Sequence, residues 1–227
     1  MIELYRADRK GNKTMPEKYL TEGLITKQID SHDDPSPERK YGWLEIIKSH
    51  INPFCETEKF IYNTTSFLSF TTDENIALKY LRGPNKIDYL PVNRNDADLF
   101  IFTAKLDNYR LKEINSGLFL YTFNCNYGKI KNDPKFHPHT LISSGNFVRC
   151  NICSNVDKYE HSILIIDVVT FLSKFKEKLS NELRLAANDK EWLIMPSDPM
   201  PGYAKGLQSR IPIADFWTVD FYKSNSH

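Results

Sequence analysis

Three short runs of this sequence carry side chains able to act together on a ligand: Leu4-Tyr5-Arg6-Ala7-Asp8-Arg9, Phe67-Leu68-Ser69-Phe70-Thr71-Thr72 and Asp189-Lys190-Glu191-Trp192. Ile2-Glu3-Leu4-Tyr5 reads as a strand running into an arginine, and alternation puts Arg6 on the face opposite Tyr5. A guanidinium fixed at a strand end is suited to grip a planar or phosphate-bearing anion through two parallel hydrogen bonds. Ser69 and Thr71 share one strand face, where hydroxyls more often satisfy backbone groups or cap a helix. Glu191 precedes an apolar run, Trp192-Leu193-Ile194, that would present it rigidly. Beside Lys190, the ordinary alternative is an exposed loop ion of little energetic weight. Each group alone has such an alternative, including Arg6 as a plain surface charge.

A second cluster has metal-ligand spacing. Cys150-Asn151-Ile152-Cys153 follows His137-Pro138-His139 by about a dozen residues, which could supply four zinc ligands, His137, His139, Cys150 and Cys153. No second CxxC is present, and this favours two reduced cysteines and two loop histidines. Four cysteines in 227 residues are too few to build a disulfide framework.

The elements that must position these groups follow from pattern. Lys10 to Pro37 is polar and turn-rich and reads as loop, with at most a short helix around Pro16 to Leu24. Tyr41 to His50 has apolar residues at 43, 44, 46 and 47 and predicts a helix ended by Asn52-Pro53. Phe60-Ile61-Tyr62 and Phe67 to Phe70 are β-favouring. Thr72 is the expected cap of a helix over Glu74 to Leu81, stopped by Gly83-Pro84. Leu99 to Leu106 is a buried strand by composition. Asp107 to Asn146 is hard to read, with aromatics at Phe119, Tyr121, Phe123 and Tyr127. The apolar run Ile163 to Val169 fits a strand or a helix start, and the expectation adopted is a helix from Ile166 to Ala187. Glu191 to Met195 is a strand ended by Pro196. Ile211 to Ala214 and Phe216 to Tyr222 close the chain, the latter alternating as a sheet strand.

Composition narrows the function classes. Thirty basic against twenty-nine acidic side chains give a net charge of +1, so no nucleic-acid partner is expected. No apolar run approaches the roughly 18 residues that span a bilayer, so no membrane span is expected. No Sec-type signal is visible. This leaves a cytosolic protein, a mature fragment, or one exported by a route without such a mark. With no internal repeat or low-complexity linker, residues 1–227 are expected to form a single α+β domain.

Leu4-Tyr5-Arg6-Ala7-Asp8 closely resembles the opening of the catalytic subunit of cholera toxin and the related heat-labile enterotoxins, which are mono-ADP-ribosyltransferases of the Arg-Ser-Glu class. The order along the chain is similar: Arg6 first, Ser69-Phe70-Thr71 in place of Ser-Thr-Ser, a helix from Glu74 to Leu81, the strand Leu99 to Leu106, and Asp189-Lys190-Glu191 in place of Glu-x-Glu. Ile211-Pro212-Ile213 and Phe216-Trp217-Thr218-Val219 resemble the family's closing segments. The resemblance covers about half the chain, in blocks. Phe70 replaces the middle hydroxyl, Asp189 replaces a glutamate, and Asp107 to Ala187 looks like an insertion.

The resemblance implies an ADP-ribosyltransferase-like α+β fold, with two small facing, mainly antiparallel sheets and flanking helices around an NAD cleft. It implies NAD as substrate, no metal for the chemistry, and a protein acceptor, with arginine first. It also implies a bacterial toxin or effector, exported or delivered into a target cell and acting in its cytosol. Cleaving the nicotinamide–ribose bond passes through a cation-like ribose that a carboxylate must stabilise. Glu191 would do this, Arg6 would bind phosphate or ribose oxygens, Ser69 would position Glu191, Thr71 would support the strand, and Asp189 would face the acceptor. Aspartate there reaches one methylene less than glutamate, which bears on arginine specificity. The rivals are an NAD glycohydrolase using the same site and a non-catalytic, zinc-stabilised binding module.

Overall fold

The computed structural model describes residues 1–10, 24–25, 44, 47–52, 67–82, 88–124, 160–196, 210–211 and 216–225. Its strands are β1 (Ile2–Arg9), β2 (Leu24–Ile25), β3 (Leu68–Thr71), β4 (Asp88–Pro91), β5 (Leu99–Leu106), β6 (Leu111–Asn115), β7 (Leu118–Asn124), β8 (Glu160–Asp167), β9 (Glu191–Pro196), β10 (Arg210–Ile211) and β11 (Trp217–Asn225). Helices α1 (Glu74–Arg82), α2 (Val168–Ser173) and α3 (Ser180–Asp189) accompany them, and residues 47–51 are also helical.

Nine strands form a single antiparallel sheet in the order β4-β11-β5-β1-β3-β9-β8-β7-β6, with β2 and β10 paired separately. This corrects the expectation of two small facing sheets with flanking helices. The physical reason lies at β1. One edge of β1 pairs with β5 along its whole length, from Ile2–Leu106 to Arg9–Leu99, while its other edge meets β3 at one pair, Tyr5 with Thr71. That pair makes the two sets of strands continuous. The segment 107–187 adds three strands, β6, β7 and β8, to the far side.

The sheet is strongly curled. Tyr121 on β7 and Phe216, just before β11, belong to strands six positions apart, roughly 29 Å in a flat sheet. Their ring centroids are 5.2 Å apart. Tyr121 Oη also accepts from Asp107 N at the end of β5. One face therefore closes on itself around Leu4, Leu68, Phe70, Phe100, Phe102, Tyr121, Ile163, Ile165 and Ile194. The other face, carrying Phe67, Leu164, Ile166 and Leu193, is covered by α2, α3 and the helical residue Ile47.

Alternation explains why β8 is a strand. Ile163 and Ile165 serve one core while Leu164 and Ile166 serve the other, so a continuous apolar run is buried on both faces. The expected helix Ile166 to Ala187 is thus replaced by a strand through Asp167, α2, a turn at 174–178 and α3. Asp167 ends the strand and caps α2, accepting from Thr170 N at 3.2 Å and Thr170 Oγ1 at 2.6 Å. Two smaller expectations also change. Asp73, not Thr72, caps α1, accepting from Asn75 N at 3.0 Å. Leu24–Ile25 is a strand pairing with Arg210–Ile211, not loop or helix. The strands expected at Leu99–Leu106 and from Glu191, and the alternating strand near the C-terminus, are present. Phe60-Ile61-Tyr62, Gly83-Pro84 and Ile213-Ala214 lie outside the described residues.

In the β6–β7 turn, Gly117 has φ 76°, and a Cβ there would lie 2.6 Å from Phe171 N and 2.8 Å from Asp167 O. Gly117→Ala is expected to lower stability by about 1–3 kcal/mol, read as the urea unfolding midpoint. An unchanged midpoint would show that the hairpin does not rest on α2.

Candidate active site

The seam between β1 and β3 gathers most of the groups singled out in the sequence. Arg6 lies on β1, and its side chain is only 13% exposed. Its Nε donates to Asp8 Oδ2 at 3.0 Å, and its Nη1 donates to the backbone carbonyl of Ser69 at 3.0 Å. Asp8 is two residues along the same strand face, so alternation places the pair side by side, and its side chain is 1% exposed. A charge this enclosed requires its partner, since removing one member of a buried pair leaves the other uncompensated.

Ser69 is the node. Its carbonyl receives Arg6, and its hydroxyl lies 2.7 Å from His50 Nε2. The same hydroxyl lies near the Glu191 carboxyl and favours its ionised form. In the β3–β9 register Glu191 stands opposite Thr71, and Ser69 stands opposite Leu193, one diagonal step away on the same face. His50 Nε2 and the Ser69 hydroxyl share a hydrogen bond in which the imidazole tautomer sets which of them donates. His50 is buried and meets the Phe67 ring edge-on at 5.8 Å. The neighbouring Asn52 donates to the buried Glu182 of α3 at 3.0 Å, tying the His50 segment to that helix.

Burial pushes the Glu191 carboxyl up from 4.5 to about 7; the Ser69 hydroxyl opposes this and the charge of Asp189 adds to it. Glu191 keeps some solvent contact as a residue, so the shift reflects crowding around its carboxyl more than full enclosure. Thr71 has a different task. It is buried, and its hydroxyl accepts from Asp73 N at 3.1 Å, shaping the turn into α1.

The residues before Glu191 are clamped to α1. Asp189 ends α3 and accepts a short hydrogen bond from the phenol of Tyr80. Lys190 has φ 47°, left-handed for a non-glycine residue, a conformation that costs about 1–2 kcal/mol. Its Nζ pairs with Asp73 Oδ2 at 2.8 Å and its carbonyl accepts from Thr72 N at 3.4 Å. These contacts hold a strained turn at the entry to β9.

Arg6, Ser69 and Glu191 are thus linked through Ser69, and Asp189 is close enough for its charge to act on Glu191. His50 was not singled out from the sequence, because its segment was read for helical apolar spacing alone. Its signal was position, at the end of that helix and just before Asn52. The zinc candidates His137, His139, Cys150 and Cys153 lie outside the described residues; among the described residues no group of three or more metal-ligating side chains occurs. No described helix is long and apolar enough to cross a membrane. Comparisons with protein-family models, curated proteins and solved structures found no match.

The site places a carboxylate that titrates near neutrality beside the Ser69 hydroxyl. Arg6, which alternates to the other face of the sheet, sends its guanidinium to the backbone carbonyl of Ser69. In the unfolded chain Glu191 titrates near 4.5 and in the folded one at about 7. Between these values the folded state holds the extra proton, so this group's contribution to stability falls as pH rises from about 4.5 to about 7. Glu191→Gln, neutral throughout, is expected to be more stable than the unaltered protein at pH 8 by on the order of 2–3 kcal/mol, and so to unfold at a higher temperature. The difference should vanish by pH 4. Thermal denaturation across pH measures it; a difference independent of pH would mean that the carboxyl is not desolvated.

Proposed function

We propose that this protein cleaves NAD at the nicotinamide–ribose bond and transfers ADP-ribose to a protein side chain, with arginine the first acceptor. The meeting at Ser69 of Arg6, His50 and Glu191 carries the reading. It rests on the site and on the order of motifs, not on architecture, since a fold does not specify an activity.

In this reaction the C1′–N bond of the ribose breaks and its electron pair leaves with nicotinamide. The ribose becomes cation-like, as in glycoside hydrolysis. Glu191, ionised, stabilises that charge and holds a ribose hydroxyl, and Ser69 keeps the carboxylate in place. Arg6 supplies positive charge for phosphate or ribose oxygens of NAD. The acceptor then donates an electron pair to C1′ and loses a proton.

Water in place of the protein acceptor gives an NAD glycohydrolase. The shorter reach of Asp189, one methylene less than glutamate, favours that second reading. A role as a toxin or effector working in the cytosol of another cell is supported by the resemblance alone.

Incubating the purified chain with labelled NAD and a cell lysate, with nicotinamide release and protein labelling followed together, tests the proposal. Glu191→Ala, and Arg6→Lys, which keeps the charge opposite Asp8 and loses the guanidinium fork, are each expected to lower nicotinamide release by about 100-fold or more while the protein remains folded by circular dichroism. Near-normal release by either variant is incompatible with the roles assigned. In the unaltered protein, release should rise with pH through about 7 as Glu191 ionises. Free ADP-ribose without labelled protein would select the glycohydrolase.

A further inference from the structure

Asp189 stands two residues before Glu191, where α3 ends. It is the last residue of α3, beside the carbonyl-rich negative end of a helix, and its charge acts on the nearby Glu191 carboxyl. Tyr80 of α1 binds it there, its phenol O–H donating to the Asp189 carboxylate across 109 residues of sequence. Tyr80 is 68% exposed. Its ring thus stands largely in solvent, with its hydroxyl on Asp189. Asp73 and Thr72, at the other end of the same segment, hold Lys190 through its ammonium and its carbonyl. The turn leading into Glu191 is thus gripped at several points by α1 and the two residues before it, and the Tyr80 contact falls on the Asp189 carboxylate.

We infer that Tyr80 is a positioning residue that orients the Asp189 carboxylate toward an incoming guanidinium, and so sets how much ADP-ribose passes to an arginine-like acceptor and how much to water. This rests on the reading of the site given above. As nicotinamide leaves with the electron pair of the C1′–N bond, a guanidine nitrogen of the acceptor donates a pair to C1′ and forms the new bond. The proton released from that nitrogen passes to the Asp189 carboxylate and then to solvent. An aspartate free to change rotamer would meet the flat guanidinium in the wrong orientation. Water, small and without orientation of its own, depends far less on that carboxylate. Tyr80 accordingly affects the partition between acceptors more than bond cleavage itself.

The test uses the full chain, labelled NAD and agmatine as a small guanidinium acceptor, comparing the unaltered protein with Tyr80→Phe, which removes the hydroxyl and keeps the ring. ADP-ribosyl-agmatine formation is expected to fall about 10-fold, with a raised KM for agmatine. The KM for NAD should be unchanged, and hydrolysis should fall by less than about 2-fold. Asp189→Ala should reproduce the altered partition, and adding Tyr80→Phe to it should have no further effect on the ratio. An equal fall in transfer and hydrolysis in Tyr80→Phe would make Tyr80 part of the general scaffold and overturn the inference, as would an unchanged ratio. Hydrolysis without any agmatine product in the unaltered protein would overturn this inference while leaving NAD cleavage standing. Absence of any NAD turnover would remove the underlying reading together with this one.

Discussion

One ladder pair, Tyr5 with Thr71, joins the β4-β11-β5-β1 side of the sheet to the β3-β9-β8-β7-β6 side. Beside it, the guanidinium of Arg6 reaches the carbonyl of Ser69, adding a charge-assisted hydrogen bond across the same joint. A sheet connected this narrowly can bend there, and the contact between Tyr121 and Phe216 shows how far it bends. Curling encloses the apolar face around Leu4, Phe102 and Ile194, leaving the joint itself as the place where polar groups from both sides meet. The residue that fastens the halves is also the one proposed to bind NAD.

Features that oppose stability gather at this joint. Asp8 and Arg6 are enclosed charges that require each other, Glu191 is pushed up to about 7 by burial, and Lys190 adopts a left-handed backbone conformation. Arrangements of this kind persist when the surroundings hold them, and they tend to occur at functional sites. Here α1 grips the turn before Glu191, β1 supplies the guanidinium, and the helical residues around His50 are tied to α3 through Asn52 and Glu182. Each support comes from a different part of the chain. A carboxylate titrating near neutrality, steadied by a hydroxyl, suits a reaction in which positive charge develops on a sugar.

Much of the local structure was legible. The apolar run of β5, the strand beginning at Glu191 and the alternation of β11 each announced a strand through a pattern that burial enforces. β8 was not, because an apolar run buried on both faces has no period to separate strand from helix. The cap of α1 shifted by one residue, from Thr72 to Asp73, since both residue types accept from a helix N-terminus and only geometry chooses between them. Within the site, Arg6, Ser69 and Glu191 stood out by type and order. His50 and Tyr80 did not, as a histidine or tyrosine on a short helix carries no mark of what it will touch.

By itself the sequence determined which segments could become strands, that the chain carries almost no net charge, and which side chains have the chemistry to hold an anion or a sugar cation. These follow from residue type and short-range period, which act within a few positions of the chain. Tertiary structure alone decided that the strands merge into one curled sheet, that Ser69 receives both Arg6 and His50, and that Tyr80 reaches Asp189. Those outcomes depend on contacts between residues from 19 to 109 positions apart. Such contacts arise when distant apolar faces are buried together, and no local pattern encodes which polar neighbours that burial will bring into reach.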